Sequence, residues 1–315
     1  MTSEFALEEI ADVEWVGDST LFLSIAGGSE LDLVRWDGTL QRHVARTGQG
    51  PGEVLWAPWL LRRNDSTFVS IDLRQLRMSW WSASGNLVYE SNFELPFIAG
   101  AWSTPKGIFL RAALSKEQWW YVWFDDSGSV IEKRGFTAEP ISPHVTCSAC
   151  AMAVSPHGSI AMGAADTSYR FLRVDKDGDS LPAAGRPEVP RARFSASQQD
   201  SLAGRALEIE ALMDRVDADD RTRARFKTRM YPEFLLPFRA RSVFLDEKES
   251  LWVQRNVTGG DSAEVDLLDH QSAYLGTIRF APGTILRRVR DGRILASHVD
   301  DEFRTTIAVY RLVNP

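Results

Sequence analysis

The chain predicts an all-β fold, a six-bladed β-propeller with a helical-hairpin insertion between blades 4 and 5. Three observations carry that prediction. Short apolar strands recur in pairs around turn residues along almost the whole chain. The pairs return at a spacing of about 40–50 residues, the period of a four-stranded blade. One stretch, residues 195–231, leaves this rhythm and changes from period two to period 3.6. A single domain over residues 1–315, with 195–231 as an insertion within it, accommodates all three.

The first strand pair of each unit is an apolar hairpin. It reads Val13–Leu23, Leu60–Val69, Ala101–Leu110, Met152–Ala161, Ser242–Val253 and Leu286–Leu295. A second pair follows each of the first five: Leu33–Leu40, Met78–Leu87, Val122–Val130, Phe171–Asp179 and a degenerate Val265–Tyr274. Asp-Gly and Ser-Gly occupy many of the turns, where glycine accepts the positive φ of a tight hairpin. The last unit ends on one strand, Thr306–Leu312, and lacks an outer strand. Segment Phe5–Ile10 is the expected replacement, which would leave no open edge at the ring closure.

In the insertion, Leu202, Ala206, Ile209, Met213 and Val216 form one apolar helical stripe. Ser197 and Asp200 resemble a capping box. A second helix is expected from near Asp219 to Met230, ending before Pro232.

Composition narrows the function. The 315 residues are 44% hydrophobic and 25% charged, which excludes a disordered chain. A net charge of −7 argues against a nucleic-acid binder. No apolar run is long enough for a membrane-spanning helix. Two cysteines make no disulfide framework. The acidic opening, Met1–Ile10, lacks the basic and then apolar pattern of a secretory leader. The expected location is the cytoplasm, with the membrane surface included; the periplasm is the alternative if a leader was removed.

Arg46-Thr-Gly-Gln-Gly-Pro-Gly-Glu-Val54 is neither a Walker A loop nor a dinucleotide fingerprint. It is expected to be a rigid link between the first two blades. It resembles the Gly-x-Gly-Pro-Gly-Glu-Phe loop of a family of bacterial six-bladed propellers, loosely similar to NHL-repeat proteins, with Val54 in place of Phe. Cys147-Ser-Ala-Cys150 ahead of Ala153–Gly158, and the closing Val309–Leu312, are similar to that family too. The resemblance implies the fold and almost nothing of function.

Cys147 and Cys150, with His144 and His157 nearby, match no zinc-finger spacing and are read as a structural pair. Asp175-Lys-Asp-Gly-Asp179 lacks the EF-hand positions and is read as a hairpin turn. No nucleophile elbow or metalloprotease motif occurs. No catalytic residue, cofactor or metal is therefore expected.

Eight of the 11 tryptophans lie between residues 56 and 123. Neighbours on a strand point to opposite faces, so Trp80-Trp81 and Trp119-Trp120 cannot each fill one layer together. Both members of a pair can be buried in the two layers flanking their blade, or they can form an aromatic patch for a partner. The partner-binding residues expected on the second reading are Trp56, Trp59, Trp80, Trp81, Trp119 and Trp120. Arg221, Arg223, Arg225, Lys227 and Arg229 form a basic run that pairs with the acidic residues before it or meets an acidic partner or anionic lipid. The leading expectation is a non-enzymatic protein-interaction or scaffold module, an accessory subunit of a larger complex that can be membrane-associated. The alternative is a hydrolase or lyase with its site in the central channel. An enzyme would need converging carboxylates, histidines or a metal there. A scaffold would need only a packed or wet channel, with apolar exposure at its rim.

Overall fold

The structure, a computed structural model, describes residues 10–25, 30–56, 58–95, 98–113, 118–137, 151–163, 168–189, 196–197, 199–200, 204, 238–256, 262–299 and 305–312. It is an all-β propeller of six blades. Blade 1 is β1 (Ile10–Val16), β2 (Thr20–Ile25), β3 (Glu30–Arg35) and β4 (Leu40–Ala45). Blade 2 is β5 (Trp59–Arg62), β6 (Thr67–Asp72), β7 (Arg77–Ser82) and β8 (Leu87–Asn92). Blade 3 is β9 (Ile98–Thr104), β10 (Gly107–Ala113), β11 (Gln118–Phe124) and β12 (Val130–Thr137). Blade 4 is β13 (Met152–Val154), β14 (Ile160–Gly163), β15 (Arg170–Val174) and β16 (Ser180–Gly185). Blade 5 is β17 (Phe238–Leu245), β18 (Leu251–Arg255), β19 (Ala263–Leu268) and β20 (Tyr274–Phe280), and blade 6 is β21 (Thr284–Arg290), β22 (Arg293–Val299) and β23 (Thr305–Arg311). Every pairing within a blade is antiparallel between consecutive strands.

The second strands β2 and β6 are buried along nearly their whole length, whereas the outer strands β4 and β8 are mostly exposed. A middle strand of a blade is packed on both faces, so its sequence reads as a continuous apolar run. Apolar layers fill the spaces between blades. Leu31, Leu33, Phe22, Phe68 and Trp81 form the layer between blades 1 and 2; Val69, Trp80, Ile108, Leu110 and Val122 form the one between blades 2 and 3. Tyr169, Phe171, Phe238 and Val253 join blades 4 and 5.

One turn is built repeatedly. In Asp125–Ser129 and Asp175–Asp179 the first residue donates its N–H to the carbonyl of the fifth, and the fourth donates back to the first. The aspartate carboxylate accepts two further backbone N–H groups, as Asp175 does from Asp177 and Asp179 at 2.9 Å each. The acidic run 175–179 is thus a hairpin turn. The fourth position needs positive φ. Gly178 supplies it in this copy, and Glu249 and Ser272 adopt it without glycine in two others, at φ 61° and 72°.

The ring closure corrects one expectation. Ile10 does not lie at the outer edge of blade 6; it opens β1, the innermost strand of blade 1, opposite Ile25. Phe5 to Glu9 lie outside the described residues. The seam between blades 6 and 1 is held by packing of Ile10, Val13, Trp15 and Leu23 against Leu295 and Ile307, and by ion pairs. Of the expected insertion, Ala196, Ser197, Gln199, Asp200 and Gly204 are helical; the rest of 195–231 lies outside the described residues, as do Cys147 and Cys150.

Candidate functional site: an arginine-lined central cavity

Inner strands β1, β5, β9, β13, β17 and β21 surround a central cavity of about 480 Å3. Propellers collect side chains from every blade at this place, because each innermost strand turns one face toward the axis. Blade 1 contributes Asp12, Glu14 and Trp15, blade 2 contributes Trp59, Arg62 and Arg63, and blade 3 contributes Gly100, Trp102 and Thr104. Blade 4 adds Met152 and Val154, blade 5 adds Arg241, Phe244 and Glu247, and blade 6 adds Arg287, Arg288 and Arg290. Among the described residues the lining holds no histidine and no cysteine.

The carboxylates of blade 1 are committed. Arg288 donates from Nη2 to both oxygens of Asp12, at 3.0 and 2.9 Å, and from Nε to Glu14 at 3.0 Å. The same Nη2 reaches the Leu60 carbonyl at 2.8 Å, while Asp12 accepts the Leu60 N–H at 2.9 Å. Burial disfavours the Arg288 charge, but Asp12 and Glu14 overcome it and raise the guanidinium above its ordinary value. Elsewhere Arg63 pairs with Asp126 and donates to the Thr104 carbonyl at 2.7 Å, tying blade 2 to blade 3. Arg62 pairs with Asp65 at 2.5 Å, and Arg290 lies 3.6 Å from Glu247.

Two arginines of the lining have no carboxylate partner among the described residues. Arg287 donates to Ser297 Oγ at 2.8 Å and to the carbonyls of Ala11 and Ile10 at 3.3 and 3.4 Å. Burial pushes it below its ordinary value; Asp12 opposes this, and Arg288, Arg239 and Arg241 add to it. Arg241 is exposed to the cavity and stands over the Trp59 ring at 5.9 Å. On blade 3 Trp102 packs over Gly100: a Cβ at Gly100 would come within 2.0 Å of the indole. Glycine leaves the space that this ring fills.

Sequence reasoning missed these arginines. The signal was present in Arg62-Arg63 and Arg287-Arg288, doublets at the same strand of two repeats, but only a closed ring turns them toward one another.

The predicted partner-binding residues disperse. Trp56 is 45% exposed. Trp59 lines the cavity. Trp80 and Trp81 are buried, at 3% and 1%, in the two layers either side of blade 2. Neither is open to a partner, because both faces of β7 are covered by neighbouring blades. Trp81 also donates from Nε1 to Ser70 Oγ at 2.8 Å. Trp120 is partly buried against the layer between blades 2 and 3, with Lys133 Nζ 4.1 Å from its ring centre. Trp119 pairs with Ala113 through its backbone, and its side chain lies outside the described residues. Arg221, Arg223, Arg225, Lys227 and Arg229 lie outside them too.

The loop at 46–54 links blades 1 and 2 and is compact. Glu53 turns back on it, accepting the Gly50 N–H at 2.8 Å and Arg46 Nε at 3.0 Å. Gln75 of blade 2 donates to the carbonyls of Gly48 and Glu53 at 3.1 Å each. One group of described residues has metal-ligand types together: Glu30, Asp32 and His43, with ligand atoms within 4.8 Å of one another. His43 Nδ1 lies 2.9 Å from Asp32 Oδ1, across the β3–β4 pair. A cross-strand contact accounts for that arrangement.

The propeller fold is shared with solved structures. A protein of Bacteroides fragilis superposes with a TM-score of 0.54 at 12% identity, covering 98% of this chain and 91% of that one. A member of the DUF4221 family from Bacteroides vulgatus gives 0.55 at 10% identity, with 99% and 95% covered. The structure of U3-55K gives 0.55 at 10% identity, with 98% of each chain covered. At such identities the likeness establishes the fold alone. No family model and no curated protein matches the chain. Among the described residues no helix is long and apolar enough to cross a membrane.

Proposed function

We propose that this propeller is a non-enzymatic protein-interaction module, an accessory subunit that docks on a larger complex through the outer edge of blades 2 and 3. The observation that carries this reading is apolar exposure on two adjacent outer strands. Leu87, Val88 and Tyr89 of β8 and Val130 and Ile131 of β12 are all exposed, Val88 by 66%. Blades 2 and 3 touch close by, where Ser91 Oγ donates to the Gly128 carbonyl at 3.3 Å. Exposed apolar groups on an open strand edge favour a partner surface. Trp56 adds an exposed indole on blade 2's approach loop.

The polar pins between blades support a rigid disc. Ser155 Oγ donates to Glu249 at 2.7 Å, and Arg173 reaches the carbonyls of Glu249, Asp269 and His270. The alternative, a hydrolase or lyase in the channel, has less support, because Asp12 and Glu14 are both engaged by Arg288. The kinship with bacterial propellers bearing the Gly-x-Gly-Pro-Gly-Glu loop belongs to this proposal, as does contact of the 221–229 basic run with anionic lipid. So does a cytoplasmic location reaching the membrane surface, with the periplasm as the alternative that cell fractionation distinguishes.

The test is co-purification from native membranes and cytosol, followed by protein identification, with wild type and with Val88→Asp plus Ile131→Asp. A defined partner retained by wild type and released by the variant, at unchanged melting temperature, supports the reading. Retention by the folded variant overturns it.

A further inference from the structure

Among the described residues the central cavity carries more positive charge than it neutralises. Its lining has twice as many guanidinium groups as carboxylates. Asp12, Glu14 and Glu247 are taken up by Arg288 and Arg290. Arg241 and Arg287 are left without a carboxylate among the described residues, although both line the same cavity. They sit on neighbouring inner strands joined by a side-chain contact: Ser242 Oγ donates to the Leu286 carbonyl at 3.1 Å, one residue from each arginine. A charge inside a protein needs a counter-charge, and both groups line a cavity large enough for a small molecule, Arg287 keeping one further N–H on each Nη beyond those given to Ala11 and Ile10. Trp59 under Arg241 and Trp102 on blade 3 supply flat apolar walls to the same space.

We propose that the central cavity is a binding site for a small oxyanion ligand, a phosphate monoester or a carboxylate, bearing a flat apolar group. Arg241 and Arg287 take the anion, and Trp59 and Trp102 take the apolar group. Guanidinium suits this task because its planar fork meets two oxygens at once and stays charged at any physiological pH. The site is separate from the outer-edge docking surface and stands whether or not that surface has a partner.

Isothermal titration of the full chain with phenyl phosphate, benzoate and benzyl alcohol tests it. Phenyl phosphate or benzoate should bind, whichever is tighter naming the anion, and benzyl alcohol should bind at least about tenfold more weakly. Arg241→Gln should weaken the anion roughly tenfold or more, the loss of one charge-assisted contact. Among the described residues the Arg241 side chain makes no ion pair and its contact is with the Trp59 ring, so this variant should fold normally. Arg287→Gln should act the same way, and its melting temperature reports any cost of the lost carbonyl contacts. Arg134→Gln, an exposed change on β12 beside Glu132, should leave affinity unchanged. The proposal is overturned if neither anion binds at millimolar concentration, if benzyl alcohol binds as tightly, or if Arg134→Gln weakens binding as much as Arg241→Gln.

Discussion

Arg288 and Asp12 close the ring. Arg288 belongs to the first strand of the last blade and Asp12 to the first strand of the first, yet Nη2 lies within hydrogen-bond distance of both Asp12 oxygens. The same pair holds both backbone groups of Leu60, so one contact fastens blades 6, 1 and 2. Glu14 completes the set, and its side chain is only 7% exposed.

Removing the guanidinium should therefore cost more than a surface ion pair does. Arg288→Met leaves two largely buried carboxylates without their paired guanidinium. The expected loss is roughly 3 kcal/mol or more, as for other buried pairs broken on one side. Urea unfolding checks this. Adding Asp12→Asn and Glu14→Gln to the variant should restore part of the loss, since the uncompensated charges are then gone.

Trp80 and Trp81 should behave as core residues. Trp81→Ala empties the layer between blades 1 and 2 and strands Ser70 Oγ, so a cost of about 3–5 kcal/mol is expected. Val88→Asp on the outer strand next to them should change the melting temperature little. Thermal unfolding followed by circular dichroism separates the two outcomes.

The 46–54 loop predicts a non-additive pair. A Cβ at Gly48 would fall 2.0 Å from Glu53 Oε2, which already accepts the Gly50 N–H. Gly48→Ala should lower the melting temperature by displacing that carboxylate. In a Glu53→Ala background the same substitution should have almost no further effect. A double-mutant cycle by calorimetry measures the coupling.

Asp32 predicts a pH dependence of definite sign. Burial pushes its carboxyl above the ordinary aspartate value, against the pull of His43, and Glu30 adds to the rise. The folded chain thus holds a proton that the unfolded chain has released. Stability from this site is greatest below the ordinary aspartate range and falls as pH rises through the raised value. Asp32→Asn removes the titration. The stability of wild type relative to this variant should decline across that interval in acid-range urea titrations; a rise would mean that His43 outweighs burial.

Much of the fold was legible because a blade is local. Strands joined by the turns at Asp125–Ser129 and Asp175–Asp179 are neighbours in sequence, so apolar runs and turn residues report them directly. The alternation that sends Trp80 and Trp81 to opposite faces was legible too. Whether either face was covered was not, since the cover comes from blades 1 and 3, and here both layers are filled.

By itself the sequence determined the blade count, the strand order within each blade and the turns, all of which follow from short-range alternation and backbone preference. Ring closure was decided by tertiary structure. It placed Ile10 on the innermost strand of blade 1 rather than at the edge of blade 6, and set Asp12 against Arg288 from the far end of the chain. It also brought Arg241 and Arg287 to one cavity with Trp59 and Trp102. These groups come from four blades far apart in sequence. Strand periodicity states which side of a strand a residue occupies, and only a closed ring makes those sides face a common axis.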